Sequence, residues 1–512
     1  MQKKEQELVS EEKTLSFFKV IIIFTALFFG IMMQKCLAMS TLKVSIAPSY
    51  PLDPAKIKSM ADYDLALCLH RTWFEYDDKR AAIPSLVSSW KFDLKEGQYY
   101  FKVSPKAFWS DGSSLKSEQL LENLKRLINQ KNSYGVAIDA IVDIGKANII
   151  SNSEFTLPTR NKQPSEAFFQ RMGSVFLSVV HPSSWNQSGA FLNNKITIGP
   201  YKVSKENKDE IILEKNNYDH LAFENRFQQI HIKRMTGAIN LEDFLNGKNF
   251  ADIIQTYTLM PKNLYQRIID KKLPFWTRAF DRVSYMAPIH NYSDKNNELR
   301  NFLLTIGKLL RENSSKDLIP TQVHLASSLQ PIGYPLFDPI DYSKLDLDKT
   351  KLPKEISIVG ISGYQFDIQR NIIEEIVKRN KLPVKITFSS KDTIVDFLKE
   401  IEPSSKFDLK ILSFGVADPE AATWLSLVLN KDGPFIELSK NDHENFEAIL
   451  RNFSGKSDEI QKLKKMLTQI GVRGSYLPLF HFSTMSLAKP PISFINIKEL
   501  DETVDYSKLK TN

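Results

Sequence analysis

The chain has 512 residues, more than one hydrophobic core usually serves, so two or three lobes are expected. Its 42% hydrophobic and 25% charged residues are ordinary for a soluble globular protein. The 68 Lys and Arg against 60 Asp and Glu give a net charge of +8 without any block of like charge, which reads as a solvated surface and argues against a nucleic-acid partner. Cys36 and Cys68 are the only cysteines, which excludes a disulfide framework.

Val20–Met33 is an unbroken apolar run between Lys19 and Gln34-Lys35, short for a spanning helix and suited to a signal-peptide core. Cys36-Leu37-Ala38 offers small residues for cleavage after Ala38, so residues 1–38 read as a signal peptide. The alternative is an uncleaved anchor over residues 20–33, because Glu5, Glu7, Glu11 and Glu12 nearly cancel the preceding lysines. Either way the body is exported.

Leu42–Ile46 alternates like an edge or first strand, and Pro48-Ser49-Tyr50-Pro51 ends it. Tyr63–Trp73 has a helical pattern that makes Cys68 a buried core thiol. Tyr99, Phe101 and Val103 alternate as a strand, and Trp109-Ser110-Asp111-Gly112 is a turn whose glycine takes a positive φ. Ser117 then caps a helix with an apolar stripe of Leu120, Leu121, Leu124, Leu127 and Ile128.

The most regular stretch comes later. Glu355–Ile361 is a strand; Phe366, Ile368, Ile372, Ile373, Ile376 and Val377 follow at helical spacing. Pro383–Phe388 is a second strand, Ile394, Phe397, Leu398 and Ile401 mark a second helix, and Phe407–Phe414 is a third strand. Strand, helix, strand, helix, strand requires parallel pairing with right-handed crossovers, an α/β architecture. Gly360–Gly363 and Gly415–Asp418 should then face one crevice.

Asp418-Pro419-Glu420 is a helix start, which puts a lone carboxylate at the carboxyl end of a strand, where open α/β sheets place their ligands. Asp418 is either a backbone cap or the partner of a cationic ligand group. Gly415 is either a strand terminator or a place where a peptide backbone can come close. Trp424 is core or pocket wall, and Tyr50-Pro51 is a surface loop or a cleft loop.

Enzyme signatures are missing from the sequence. There is no H-E-x-x-H, C-x-x-C or G-x-G-x-x-G, and Ser454-Gly455-Lys456-Ser457 has Leu450 where a phosphate-binding loop needs glycine. The histidines are dispersed. No catalytic residue, cofactor or metal is expected.

Pro84 to Trp90, Tyr99-x-Phe101, the Trp-Ser-Asp-Gly turn at 109–112 and the Ser117-Glu118 helix start occur in the order found in one family. The chain resembles the family 5 extracellular solute-binding proteins, the oligopeptide- and dipeptide-binding subunits of bacterial ABC importers. Ile198-Gly199-Pro200-Tyr201 resembles its G-x-G-P-Y turn, with Thr197 in place of the first glycine, and Leu213–Tyr218 its next strand and corner. Leu241–Ile254, Phe414–Pro419 and Leu477–Phe480 continue the match, while Asn297–Phe302 stands where the family tends to carry Asp-x-Arg-x-Arg-x-Ala.

The resemblance implies a large type II periplasmic-binding-protein fold, two α/β lobes with a hinge plus an extra inserted domain. It divides the chain into a discontinuous lobe I (41–83, 195–255 and 475–512), an extra domain (84–194) and lobe II (256–474). It implies a monomeric, periplasmic binding protein that does no chemistry. Such a protein closes over a peptide or small amine-bearing solute and docks on an inner-membrane ABC permease. In this family's peptide binders an aspartate in the segment of Asp418 holds the ligand's α-ammonium. The rival readings are a receptor, sensor or scaffold of the same fold and, further off, an exported hydrolase.

Overall fold

The computed structural model describes residues 41–511 apart from 220–226, 235–240, 290–294, 313–316, 320–322, 329–338, 346–350, 416–435, 452–456, 498–503 and scattered positions of one to three residues. The signal-peptide reading of residues 1–38 therefore lies outside the described residues.

Strand β1 (Thr41–Ile46) leads into helix α1 (Met60–Leu69), which a reciprocal cap starts: Asp62 N donates to Ser59 Oγ at 3.2 Å and Ser59 N donates to the Asp62 carboxylate at 3.1 Å. This cap sets the helix earlier than the Tyr63–Trp73 pattern implied. The chain leaves the helix at His70, and Trp73 becomes a core residue beyond it. Cys68 is fully buried, as expected, and burial pushes its thiol pKa up.

A short hairpin, β2 (Phe74–Tyr76) and β3 (Ala82–Pro84), precedes β4 (Val87–Asp93), β5 (Gln98–Val103), β6 (Asn148–Ser151) and β7 (Glu154–Pro158). The last four make an antiparallel sheet in the order β4-β5-β7-β6. Helices α2 (Ser117–Asn129), α3 (Ser133–Asp139) and α4 (Glu166–Met172) accompany it. The period-two burial of Tyr99, Phe101 and Val103 holds, and Trp73 meets Phe101, Phe155 and Phe168 edge-on at 5.5–6.3 Å between ring centres. Ser117 turns out to be the first residue of α2, with Lys116 at the cap; the Gln119 side chain accepts from Lys116 N at 3.0 Å.

An eleven-stranded sheet spans the rest. Its strands are β1, β8 (Tyr201–Glu206), β9 (Glu210–Lys215), β10 (Gln229–Arg234), β11 (Ile253–Tyr257), β12 (Phe275–Pro288), β13 (His324–Leu325), β14 (Glu355–Ile361), β15 (Lys385–Lys391), β16 (Leu409–Gly415) and β17 (Leu477–Ala488). The order is β15-β14-β16-β12-β17-β11-β1-β10-β9-β8, with β13 added on β17. Thus β1 is an interior strand, parallel to β10 on one side and β11 on the other, where alternation alone had allowed an edge. The remaining helices are α5 (Leu241–Leu245), α6 (Lys262–Asp270), α7 (Lys295–Arg311), α8 (Tyr364–Arg379), α9 (Ile394–Glu400), α10 (Lys440–Arg451) and α11 (Ser457–Val472).

As expected from the sequence, β14 pairs in parallel with both β15 and β16. Two large cores flank the crossing strands, one built on β1, β10 and the aromatic sheet, the other on β12, β14, β16 and α7. A small third core joins α5 and α6 to the end of β17.

Two turns are locked by close packing. Gly112 has φ +89°, and a Cβ there would stand 2.9 Å from the Tyr218 ring. Gly199 faces the backbone of Leu69 and His70, and Asn216 Nδ2 donates to its carbonyl at 2.9 Å. Buried Thr197 donates from Oγ1 to Tyr201 O at 3.0 Å, so the residue that departs from the family's glycine holds the turn from inside.

Candidate functional site

The two halves of the main sheet are stitched by β12 and β17, which run antiparallel through both. Phe275–Arg278 of β12 lies against Thr484–Leu487 of β17, whose far edge carries β11. Arg282–Pro288 lies between β17 and β16, and the register slips between Arg278 and Arg282. A third link runs alongside: Thr258 N donates to Ser483 O at 2.9 Å, and Ser483 N donates to Thr258 Oγ1 at 2.9 Å.

Each half has a topological switch point, and the two lie on either side of this crossing. In one, β14 is flanked by β15 and β16; in the other, β1 is flanked by β10 and β11. Open α/β sheets bind ligands outside the carboxyl ends of the strands at such points. The carboxyl end of β11 is Tyr257, that of β16 is Gly415, and among the described residues Arg282 is joined to both. Arg282 pairs directly with Gly415 across the β12–β16 ladder, and its guanidinium carbon is 4.9 Å from the centre of the Tyr257 ring. Its Nε donates to Thr484 Oγ1 at 3.2 Å, and Phe482 meets Tyr257 edge-on at 5.6 Å.

Of the residues singled out from the sequence, Gly415 is described and is half-buried at the end of β16. Asp418 and Trp424 lie outside the described residues. Tyr50 is half-buried and Pro51 exposed. Tyr50 neighbours the end of β10: the Arg234 guanidinium stands 5.8 Å from its ring centre. Burial and the Glu206 carboxylate push the Tyr50 hydroxyl pKa up to about 12 against the opposing pull of Arg234. The loop holding Tyr50 and Pro51 is anchored from within. Leu52 N donates to Asn194 Oδ1 at 2.8 Å, and Asp53 forms a buried ion pair with Arg126 at 2.6 Å. Gly415 and Tyr50 therefore belong to different halves, one at the crossing and one at the end of β10. Sequence reading missed Arg282; its signal was an arginine inside the aromatic run Phe275–Met286.

The halves also meet away from the crossing. Helix α10 touches α3, and Tyr364 at the start of α8 is close enough to Glu242 and Arg267 to feel both charges. Among the described residues no group of His, Cys, Asp and Glu could hold a metal ion, and no helix is long and apolar enough to cross a membrane.

By sequence, the family model "Bacterial extracellular solute-binding proteins, family 5 Middle" matches residues 81–294. Among curated proteins none matches by sequence. By fold, the chain is similar to Haemophilus influenzae OppA in complex with RPPGFSPFR, with TM-score 0.72, 13% identity and coverage of 92% of this chain and 99% of that one. It is equally similar to the Escherichia coli murein tripeptide binding protein MppA, with TM-score 0.72, 14% identity and coverage of 92% and 98%. The unliganded open form of MppA gives TM-score 0.58 at 14% identity, with coverage of 92% and 97%. The fold is thus the two-lobed α/β type of these binding proteins. Over residues 81–294 the sequence is thus similar to the family 5 bacterial extracellular solute-binding proteins, and over 92% of the chain the fold is that of OppA and MppA.

Proposed function

We propose that the protein captures a peptide, or a similar amine-bearing solute, between two lobes and hands it unchanged to an ABC permease. The observation that carries this reading is the pair of sheet switch points that flank the β12–β17 crossing, a hinge with a ligand position on either side. The better superposition on OppA with its bound RPPGFSPFR than on open, unliganded MppA supports lobes drawn together, as does the contact between α10 and α3. Lobe I comprises 41–83, 195–255 and 475–512, the extra domain 84–194, and lobe II 256–474. The protein works as a periplasmic monomer, released from its signal peptide or held by residues 20–33.

In this reading Asp418 holds the ligand's ammonium, with Gly415, Trp424, Tyr50 and Pro51 around it. A carboxylate in a closing, water-poor cleft needs a cationic partner, and the charge-assisted bond it makes is about twice as strong as a neutral one. The test is calorimetric binding of tri-alanine and of N-acetyl-tri-alanine to the wild type and Asp418→Ala. Asp418→Ala should weaken the free-amine peptide at least about tenfold, roughly 1.4 kcal/mol, and leave the acetylated one nearly unchanged. Equal losses for both would reduce Asp418 to a helix cap.

A further inference from the structure

We infer that Arg282 is a binding residue for a carboxylate on the captured solute. This rests on the capture reading above and extends it from an amine-bearing to a zwitterionic ligand.

Arg282 is only 6% exposed, yet no carboxylate pairs with it among the described residues. Other arginines drawn away from solvent are provided for. Buried Arg126 has Asp53 at 2.6 Å, half-buried Arg71 has Asp219 at 2.9 Å, and half-buried Arg311 donates to the carbonyls of Gly307, Ala326 and Pro478. Among the described residues the Arg282 side chain has one hydrogen bond, from Nε to Thr484, and one ring face, Tyr257. A guanidinium carries five N–H donors, so both terminal nitrogens remain to be satisfied. These nitrogens, unlike Nη2 of Arg234, are not sealed in the interior. A charge withdrawn from water without a counter-charge is costly, and the fork of Nη1 and Nη2 is shaped for the two oxygens of one carboxylate.

Position selects the ligand as the source of that carboxylate. Among the described residues Arg282 is the one that touches the carboxyl ends of both β11, at Tyr257, and β16, at Gly415. A group bound there lies at the crossing of the two lobes. Tyr257 holds the guanidinium by a ring face and Thr484 holds it by Nε, which leaves Nη1 and Nη2 for the ligand.

The test compares tri-alanine with its C-terminal amide by calorimetry on the wild type, Arg282→Met and Arg282→Lys, with unfolding curves to check folding. The wild type should bind the free-carboxylate peptide at least about tenfold more tightly than the amide. Arg282→Met should bind both alike, and Arg282→Lys should lose part of the preference. Should Arg282→Met fail to fold, Arg282→Lys carries the comparison, and an unaltered preference there overturns the inference. No preference in the wild type, or the same preference in Arg282→Met, also overturns it while leaving solute capture intact. If the wild type binds neither peptide, peptide capture fails, and the melting temperature in succinate against phosphate decides about Arg282. A rise with succinate that vanishes in Arg282→Met upholds the inference; no rise, or a rise with phosphate alone, overturns it.

Discussion

Replacing Asp53 by alanine tests how the loop after β1 is held. The Asp53 and Arg126 side chains are 6% and 3% exposed, and Oδ2 and Nη2 are 2.6 Å apart. Without Asp53, Arg126 keeps a bond to Gly189 O at 3.2 Å and the faces of Trp185 and Phe191, none of which carries negative charge. Breaking one side of a buried ion pair costs about 3–5 kcal/mol, because the remaining charge stays buried and uncompensated. Asp53 Oδ1 also accepts from Ala55 N at 3.1 Å, a cap whose loss adds about 1 kcal/mol. At about 2–4 °C per kcal/mol for a unit of this size, the midpoint should fall by about 10 °C. Scanning calorimetry of Asp53→Ala, Asp53→Asn and the double variant Asp53→Ala with Arg126→Met separates the parts. Asp53→Asn, which can keep the cap, should lose less, and the double variant should recover part of the loss because no charge is stranded. An Asp53→Ala midpoint within about 2 °C of the wild type, or a double variant no more stable than Asp53→Ala, would refute the reasoning.

Two further predictions concern the same half. Gly199→Ala would put a Cβ 2.4 Å from the Leu69 carbonyl carbon and 2.5 Å from His70 N, backbone atoms that cannot rotate away, so the urea midpoint should fall by the equivalent of about 3 kcal/mol; an unchanged midpoint contradicts the packing. His70 is fully buried, and burial holds its pKa down to about 3 against an ordinary 6.5. Its imidazole Nε2 accepts from Asn194 Nδ2 at 3.1 Å, so the folded protein keeps it neutral. The unfolded chain then takes up a proton first, so this stability is complete above pH 6.5 and is lost progressively as the pH falls toward 3. At pH 5 the loss should be about 2 kcal/mol, and denaturant titrations at pH 7.5 and 5 should show it in the wild type and not in His70→Gln.

The stretch from β14 to β16 was legible because its hydrophobic period switches cleanly between two and three-and-a-half, with glycine at strand ends. The bounds Glu355–Ile361 were read residue for residue. The next strand was displaced: Pro383 and Val384 stay out of the ladder, and pairing with β14 carries β15 through polar Ser389, Ser390 and Lys391, where side-chain pattern is silent. The interior place of β1 was hidden because its neighbours β10 and β11 lie far along the chain. Strand β12 was not read at all. Arg278, Asp281 and Arg282 break its alternation, and what buries Arg278 and Arg282 is the crossing itself, a tertiary feature. The same cause hid Arg282 from the candidate site, whereas Gly415 was found because a strand terminus announces itself locally.

Native mass spectrometry of the protein isolated from its own cell envelope puts the central claim to the most direct trial. The account predicts a folded species heavier than the chain by one small solute, released on denaturation and bearing both an amine and a carboxylate. A folded species of bare chain mass, unaltered by an added peptide pool, would contradict it.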